Sequence, residues 1–242
     1  MKRTPYLLAV WILAFAGSLH AQSAETKSDA GEEDVSVPDK NASALIGTYV
    51  GAFGERKITV SLDKVIGKTV TGYSIVAGNE RAFSGSWEAV EGGYTILAKE
   101  PGDHAADGIF KFTFTAKPKA LSGEWVANDK KIGSRKFSLP ARTFKYNTKA
   151  GQYPQSTTTP LKEADVENMK PADLRIMRNE IYARHGYSFK LADMREHFDK
   201  LDWYMPMAID ITTKLTKTEK NNAALIKRYE KYTEEHYDDF GR

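Results

Sequence analysis

The chain has no cysteine. Disulfides, cysteine nucleophiles and thiolate metal sites are therefore excluded, as is the lipid attachment that a bacterial lipoprotein receives on a cysteine. Long apolar runs are scarce as well. Residues 6–16 form a short one behind Lys2 and Arg3, well under the roughly 20 apolar residues that a spanning helix needs. Ser18-Leu19-His20-Ala21 follows it. A charged start, a short apolar run and a small-residue exit read as a signal peptide over 1–21, cut after Ala21, with Ala24 as the alternative. No second apolar stretch follows, so the mature protein is expected to be periplasmic or secreted and not membrane-spanning. Charge of one sign is lacking too. A formal net charge of +3 over 242 residues gives no case for nucleic acid.

What is present changes character along the chain. Residues 22–44 are rich in Ser, Ala, Asp, Glu and Lys and read as a flexible tether. From 45 to 146 the period is two. Ile58, Val60 and Leu62 alternate with Lys57, Thr59 and Ser61, and Phe110, Phe112 and Phe114 with Lys111, Thr113 and Thr115. Successive strand side chains point to opposite faces, so each apolar set marks a buried face. Turn residues at Gly78-Asn79, Gly92-Gly93, Pro101-Gly102 and Asn128-Asp129 cut the segment into short strands, the pattern of an antiparallel barrel or sandwich. Val70-Thr71-Gly72, Phe83-Ser84-Gly85 and Leu121-Ser122-Gly123 form a weak repeat. A recurrent glycine inside a strand indicates a sharp bend or a close backbone approach. The pattern is similar to lipocalin- and streptavidin-like barrels, with Gly47-Thr48-Tyr49 opening the first strand.

Residues 147–159 are rich in Thr, Gly and Pro and read as a linker. The period then becomes helical over 160–232. A short helix is expected at 161–169 and the main one from Pro171 to His185, with Leu174, Met177 and Ile181 on one face. A third short helix covers 191–198. Thr216 and Glu219 form a capping box for the last, to about residue 232, before an acidic tail over 233–242. The expected fold class is α+β: a barrel-like antiparallel domain, then a small all-α domain.

Tyr182-Ala183-Arg184-His185-Gly186 closes the main helix, and Gly186 stands where a helix leaves through a left-handed residue. These residues resemble the motif of the YARHG-domain family, a bacterial extracytoplasmic module. The resemblance runs over about 161–232. It includes Leu174 to Ile181 upstream, Trp203-Tyr204, and Asn222, Leu225 and Ile226 near the end. It implies a domain and a cellular location, and no reaction.

Candidate binding residues are Tyr182, Arg184, His185, Tyr187, Trp203 and Tyr204. Arg178 and Arg184 are the residue type that grips carboxylates or phosphates. Each also has a packing role in reach: Arg178 precedes Tyr182 by four, and Glu180 precedes Arg184 by four, a weak pair on a helix surface. Trp87 and Trp125 are expected to fill the barrel or to line a pocket in it. No catalytic residue, metal or cofactor is expected. His185 and His197 cannot share a helix face, and the Asp103, His104, Asp107 loop matches no calcium or zinc spacing. The leading expectation is an exported, non-enzymatic interaction protein of the bacterial envelope, with an envelope component or envelope protein as partner. The alternatives are a carrier of a small ligand in the barrel and, last, a hydrolase using His185 and Glu180.

Overall fold

The computed structural model describes residues 42–236. The expected signal peptide, the tether to residue 41 and the tail beyond 236 lie outside the described residues.

Eight strands follow one another in space as in sequence: β1 Gly47–Phe53, β2 Arg56–Ile66, β3 Thr69–Val76, β4 Asn79–Val90, β5 Gly93–Lys99, β6 Gly108–Ala116, β7 Lys119–Ala127 and β8 Ser134–Pro140. Each pairs antiparallel with the next. The last strand returns to the first. Tyr49 bridges Ala141, and the Arg142 N–H donates to the Thr48 carbonyl at 2.8 Å. The sheet is thus a nearly closed up-and-down barrel rather than a sandwich, with β1 and the end of β8 meeting at that bridge. The repeated glycines show why it curls. A Cβ on Gly72, Gly85 or Gly123 would lie 2.0, 2.0 and 1.9 Å from the carbonyl oxygens of Ser61, Leu97 and Lys111. Backbones approach there at distances that no other residue allows.

The inward positions make one core. Tyr49, Phe83, Trp87, Phe112, Phe114, Leu121 and Leu139 fill the barrel from one end, and the three phenylalanines of β6 are all buried. A 3-10 turn, Ala42–Leu45, caps that end, and the Tyr49 hydroxyl donates to the Leu45 carbonyl at 2.6 Å. Ala42, read as part of the tether, is therefore core: it and Leu45, the first residue of the expected β-domain, are fully buried.

Four helices follow: α1 Gln155–Thr158, α2 Pro171–Arg184, α3 Ala192–Phe198 and α4 Lys217–His236. Three expectations change here. Residues 161–169 hold only a 3-10 turn, Glu163–Asp165. The Asn222 side chain of α4 occupies the backbone just before it, accepting from the Leu161 N–H and donating to the Ser156 and Thr159 carbonyls. α4 continues past residue 232 to His236, with Thr233 buried and its hydroxyl donating to the Tyr229 carbonyl. Finally, residues 147–159 are not a bare linker. Ala150, Ser156 and Thr157 are buried, and α1 packs on α2 and α4.

The barrel and the helices belong to one compact unit. On the outer barrel face, Val50, Thr59 and Ile75 lie side by side across β1, β2 and β3, and all three are buried. Polar ties flank this row. The Lys57 ammonium donates to the Leu201 and Tyr204 carbonyls at 2.7 and 3.1 Å, and its N–H to the Asp199 carboxylate. The Gly78 N–H donates to the Ser188 hydroxyl at 2.9 Å, and Arg142 to the Asp202 carbonyl at 2.6 Å. Within the row, the Thr59 hydroxyl has no hydrogen-bond partner among the described residues.

An isosteric pair of substitutions tests this seam. Lys57→Met takes the ammonium from the Tyr204 carbonyl, while the Leu201 carbonyl keeps the Tyr204 N–H, and should cost about 1–3 kcal/mol, whereas Thr59→Val removes an unsatisfied group and should be neutral or stabilise by about 1 kcal/mol. Urea unfolding of both variants measures the difference. Equal and negligible effects would show that the seam is not buried in solution.

Candidate functional site

The motif helix α2 ends in a complete Schellman motif. The Gly186 N–H donates to the Ala183 carbonyl at 2.9 Å and the Tyr187 N–H to the Tyr182 carbonyl at 3.1 Å, with Gly186 at φ +77°. Glycine adopts that left-handed conformation without the strain a Cβ brings. This ending dictates where the motif side chains go. Tyr187 folds back on Tyr182, edge to face, with ring centroids 6.3 Å apart. That is the apolar contact that accompanies such a stop. Arg184 and His185 point the other way, inward.

Arg184 is 2% exposed. Its Nε donates to the Ala150 carbonyl at 2.8 Å, Nη1 to the hydroxyls of Ser156 and Thr157 at 3.0 Å, and Nη2 to Glu180 at 2.7 Å. Glu180, fully buried, also accepts from the N–H groups of Gln152 and Tyr153 at 2.7 and 2.8 Å. The Glu180–Arg184 pair is therefore not the weak surface pair expected from its spacing. It is a buried clamp that fixes residues 150–157 on α2. As a capturing residue for an anionic partner, Arg184 is corrected: its donors face Ala150, Ser156, Thr157 and Glu180.

His185 is buried beside a second carboxylate. Its Nε2 lies 2.9 Å from both oxygens of Glu219, and its ring stacks on Tyr146, centroids 4.4 Å apart. Glu219 also accepts from the Tyr146 hydroxyl, the Thr157 hydroxyl and the Thr216 N–H, the last being half of the expected capping box. Burial alone pushes the Glu219 carboxyl up, but the hydrogen bonds from His185, Thr216 and Tyr146 outweigh it and hold the pKa at about 2. Glu180 and His185, the pair of the hydrolase alternative, are engaged by different partners.

Tyr204 is fully buried and donates to the Tyr187 carbonyl at 2.7 Å; Trp203 is half-buried, edge-on to Phe198 at 6.3 Å. Both belong to the core beneath α3. Of the six candidates, Tyr182 and Tyr187 line a groove, a cleft of about 650 Å³. Arg178, Lys190, Leu191 and Ile209 share its walls, and Leu191 and Ile209 are 60% and 43% exposed. Arg178 stacks over the Tyr182 ring at 6.0 Å, as its spacing suggests, but is also held by both oxygens of Glu230 at 2.7 and 2.9 Å. Among the described residues, the Lys190 ammonium has no carboxylate partner. The sequence reading missed Leu191, Ile209 and Lys190. Two exposed aliphatics flanking a helical motif were the available signal.

Residues 150–231 match the family model described as the YARHG domain. The match starts inside the stretch read as a linker, where the clamp on Arg184 and Glu180 also starts. No curated protein and no solved structure matches the chain significantly. No helix among the described residues is long and apolar enough to cross a membrane.

Removing one partner of a buried pair leaves the other charged and unpaired, so Arg184→Ala should destabilise by about 3–5 kcal/mol. Chemical denaturation measures it; a loss no larger than that of an exposed pair would contradict the clamp. The second network gives a pH signature. The folded pKa of Glu219, about 2, lies below its ordinary value of 4.5, so its stabilisation is complete above pH 4.5 and is lost as pH falls towards 2. Glu219→Gln should therefore flatten the acid limb of a melting-temperature profile between those values. An unchanged limb would remove Glu219 as its source.

Proposed function

We propose that this is an exported, non-enzymatic binding protein of the bacterial envelope, and that the groove beside α2 is its contact surface. The observation that carries the reading is the division of labour within the motif. Its charged residues are buried in the clamp, while Tyr182 and Tyr187 emerge together in a cleft of about 650 Å³. That volume lies within the range of sites that hold small molecules or polymer segments. Tyrosine rings offer flat apolar area with a polar tip, suited to stacking on a sugar or covering an aliphatic chain. Leu191 and Ile209 extend the apolar floor, and Lys190 supplies a cation for an anionic group. Purified cell-wall fragments bearing anionic groups are the partner this surface fits. Retention outside the cytoplasm follows from removal of residues 1–21.

The residues to change are the exposed ones, because Tyr182 and Tyr187 also pack against the helical core. The double substitution Leu191→Asp, Ile209→Asp and the single Lys190→Glu should leave the melting temperature within error of the parent. Each should weaken co-sedimentation with wall fragments at least about tenfold, or 1.4 kcal/mol. The native protein should begin at Gln22 and be recovered outside the cytoplasm. Parent protein that stays in the supernatant, or variants that sediment as well as the parent, would refute the proposal.

A further inference from the structure

The barrel is filled from its capped end, but not to the other. Below the β5–β6 and β7–β8 loops lies a cavity of about 170 Å³. Ile58, Val76 and Phe110 form its apolar walls, and Trp125 stands among them. At its edge is a buried carboxylate. Glu100 is 2% exposed, and one of its oxygens, Oε2, accepts from the Gly108 N–H at 2.8 Å and the Trp125 indole N–H at 3.0 Å. The other, Oε1, has a single long contact, the Ser74 hydroxyl at 3.4 Å. A carboxylate oxygen takes two or more donors, so Oε1 has acceptor capacity to spare beside an apolar cavity. Burial pushes the Glu100 carboxyl above its ordinary range, a cost that a further donor would offset.

Three guanidinium groups share the same cavity, those of Arg56, Arg81 and Arg135. Arg81 is paired with Asp107. Arg135 lies over the rings of Phe53 and Trp125, at 5.4 and 5.6 Å, and makes no ion pair among the described residues, while Arg56 lies within the electrostatic reach of Asp199 without a direct ion pair. The site thus offers an acceptor, aromatic and aliphatic walls, and in Arg135, with Arg56 beside it, guanidinium groups of the type that grips a carboxylate through two N–H groups. At about 30 Å³ per non-hydrogen atom, the share of a water molecule in the liquid, the cavity holds about six such atoms.

We propose that this end of the barrel binds a small amino- or hydroxy-carboxylic acid, its donor on Glu100 and its carboxylate on Arg135 and Arg56. The site is separate from the groove and lies in the barrel, outside the matched domain, so its test does not depend on wall binding.

The test uses the mature chain and the indole N–H resonances of its tryptophans, with β-alanine and lactate as probes. Propionate, which lacks the donor, and propylamine, which lacks the carboxylate, are the controls. Glu100→Gln keeps an oxygen for Gly108 and Trp125 but places an NH₂ group where the spare acceptor was. At least one bifunctional probe should shift the Trp125 indole signal while Trp87, whose indole N–H donates to the Gly67 carbonyl, stays put. Each control should bind at least about tenfold more weakly than that probe, and Glu100→Gln should lose about as much. Arg135→Gln, at the rim, should also weaken the probe and provides the same reading if Glu100→Gln fails to fold. The proposal is overturned if neither probe moves the Trp125 signal, if a control binds as well as the bifunctional probe, or if a folded variant binds it unchanged.

Discussion

The helical half is organised around one buried ion pair. Glu180 and Arg184 are fully out of water, and a charge so placed is tolerable only when hydrogen bonds surround it. The surrounding bonds come from a stretch with no apolar periodicity of its own: N–H groups of Gln152 and Tyr153, the Ala150 carbonyl and the Ser156 and Thr157 hydroxyls. The pair therefore does more than tie one helical turn to the next. It selects the position of residues 150–157, and this in turn brings Thr157 to Glu219 and Glu219 to His185. A chain of acceptors and donors thus runs from α2 through α1 to the start of α4. The inward direction of the charged residues is also what leaves the two tyrosines on the outside.

The barrel meets its requirements differently. Its closure rests on backbone pairing and on glycines that let adjacent strands approach where the wall bends. Its interior is dominated by aromatic rings, whose large areas fill a narrow barrel with few residues. Filling stops where Glu100 and the arginines begin. One barrel therefore has a dry, plugged end and a polar end, and the polar end carries the longer β5–β6 and β7–β8 loops.

Much of this was legible in the sequence. Alternation located the β6 face, since Phe110, Phe112 and Phe114 occur at a spacing that only one face of a strand satisfies. The three glycines announced close backbone approach. Gly186 marked the helix stop, and Thr216 with Glu219 the next start. The burial of Arg184 was not legible. Apolar periodicity identifies a stripe through Leu174, Met177 and Ile181, and an arginine at the edge of such a stripe looks solvated until its acceptors are known. Those acceptors sit in a Gly-, Ser- and Thr-rich segment, and composition describes side chains, whereas the decisive groups there are largely backbone N–H and C=O. The barrel-end site was hidden for a related reason. Glu100, Arg81 and Arg135 come from three separate strands or loops, and only the closure of the barrel makes them neighbours.

The row of Val50, Thr59 and Ile75 on the outer barrel wall sets an order of events. Synthesis runs from the N-terminus, and every strand of the barrel is complete about 60 residues before Asp199, Leu201 and Tyr204, which tie to Lys57 beside that row, exist. At about 5–20 residues per second this is an interval of about 3–12 s, long compared with the formation of a hairpin. A barrel that forms in that interval carries Val50, Thr59 and Ile75 bare on its outer wall. The newborn chain is therefore most prone to adhesion after its larger half has folded, and its last third serves as a cover as well as a domain.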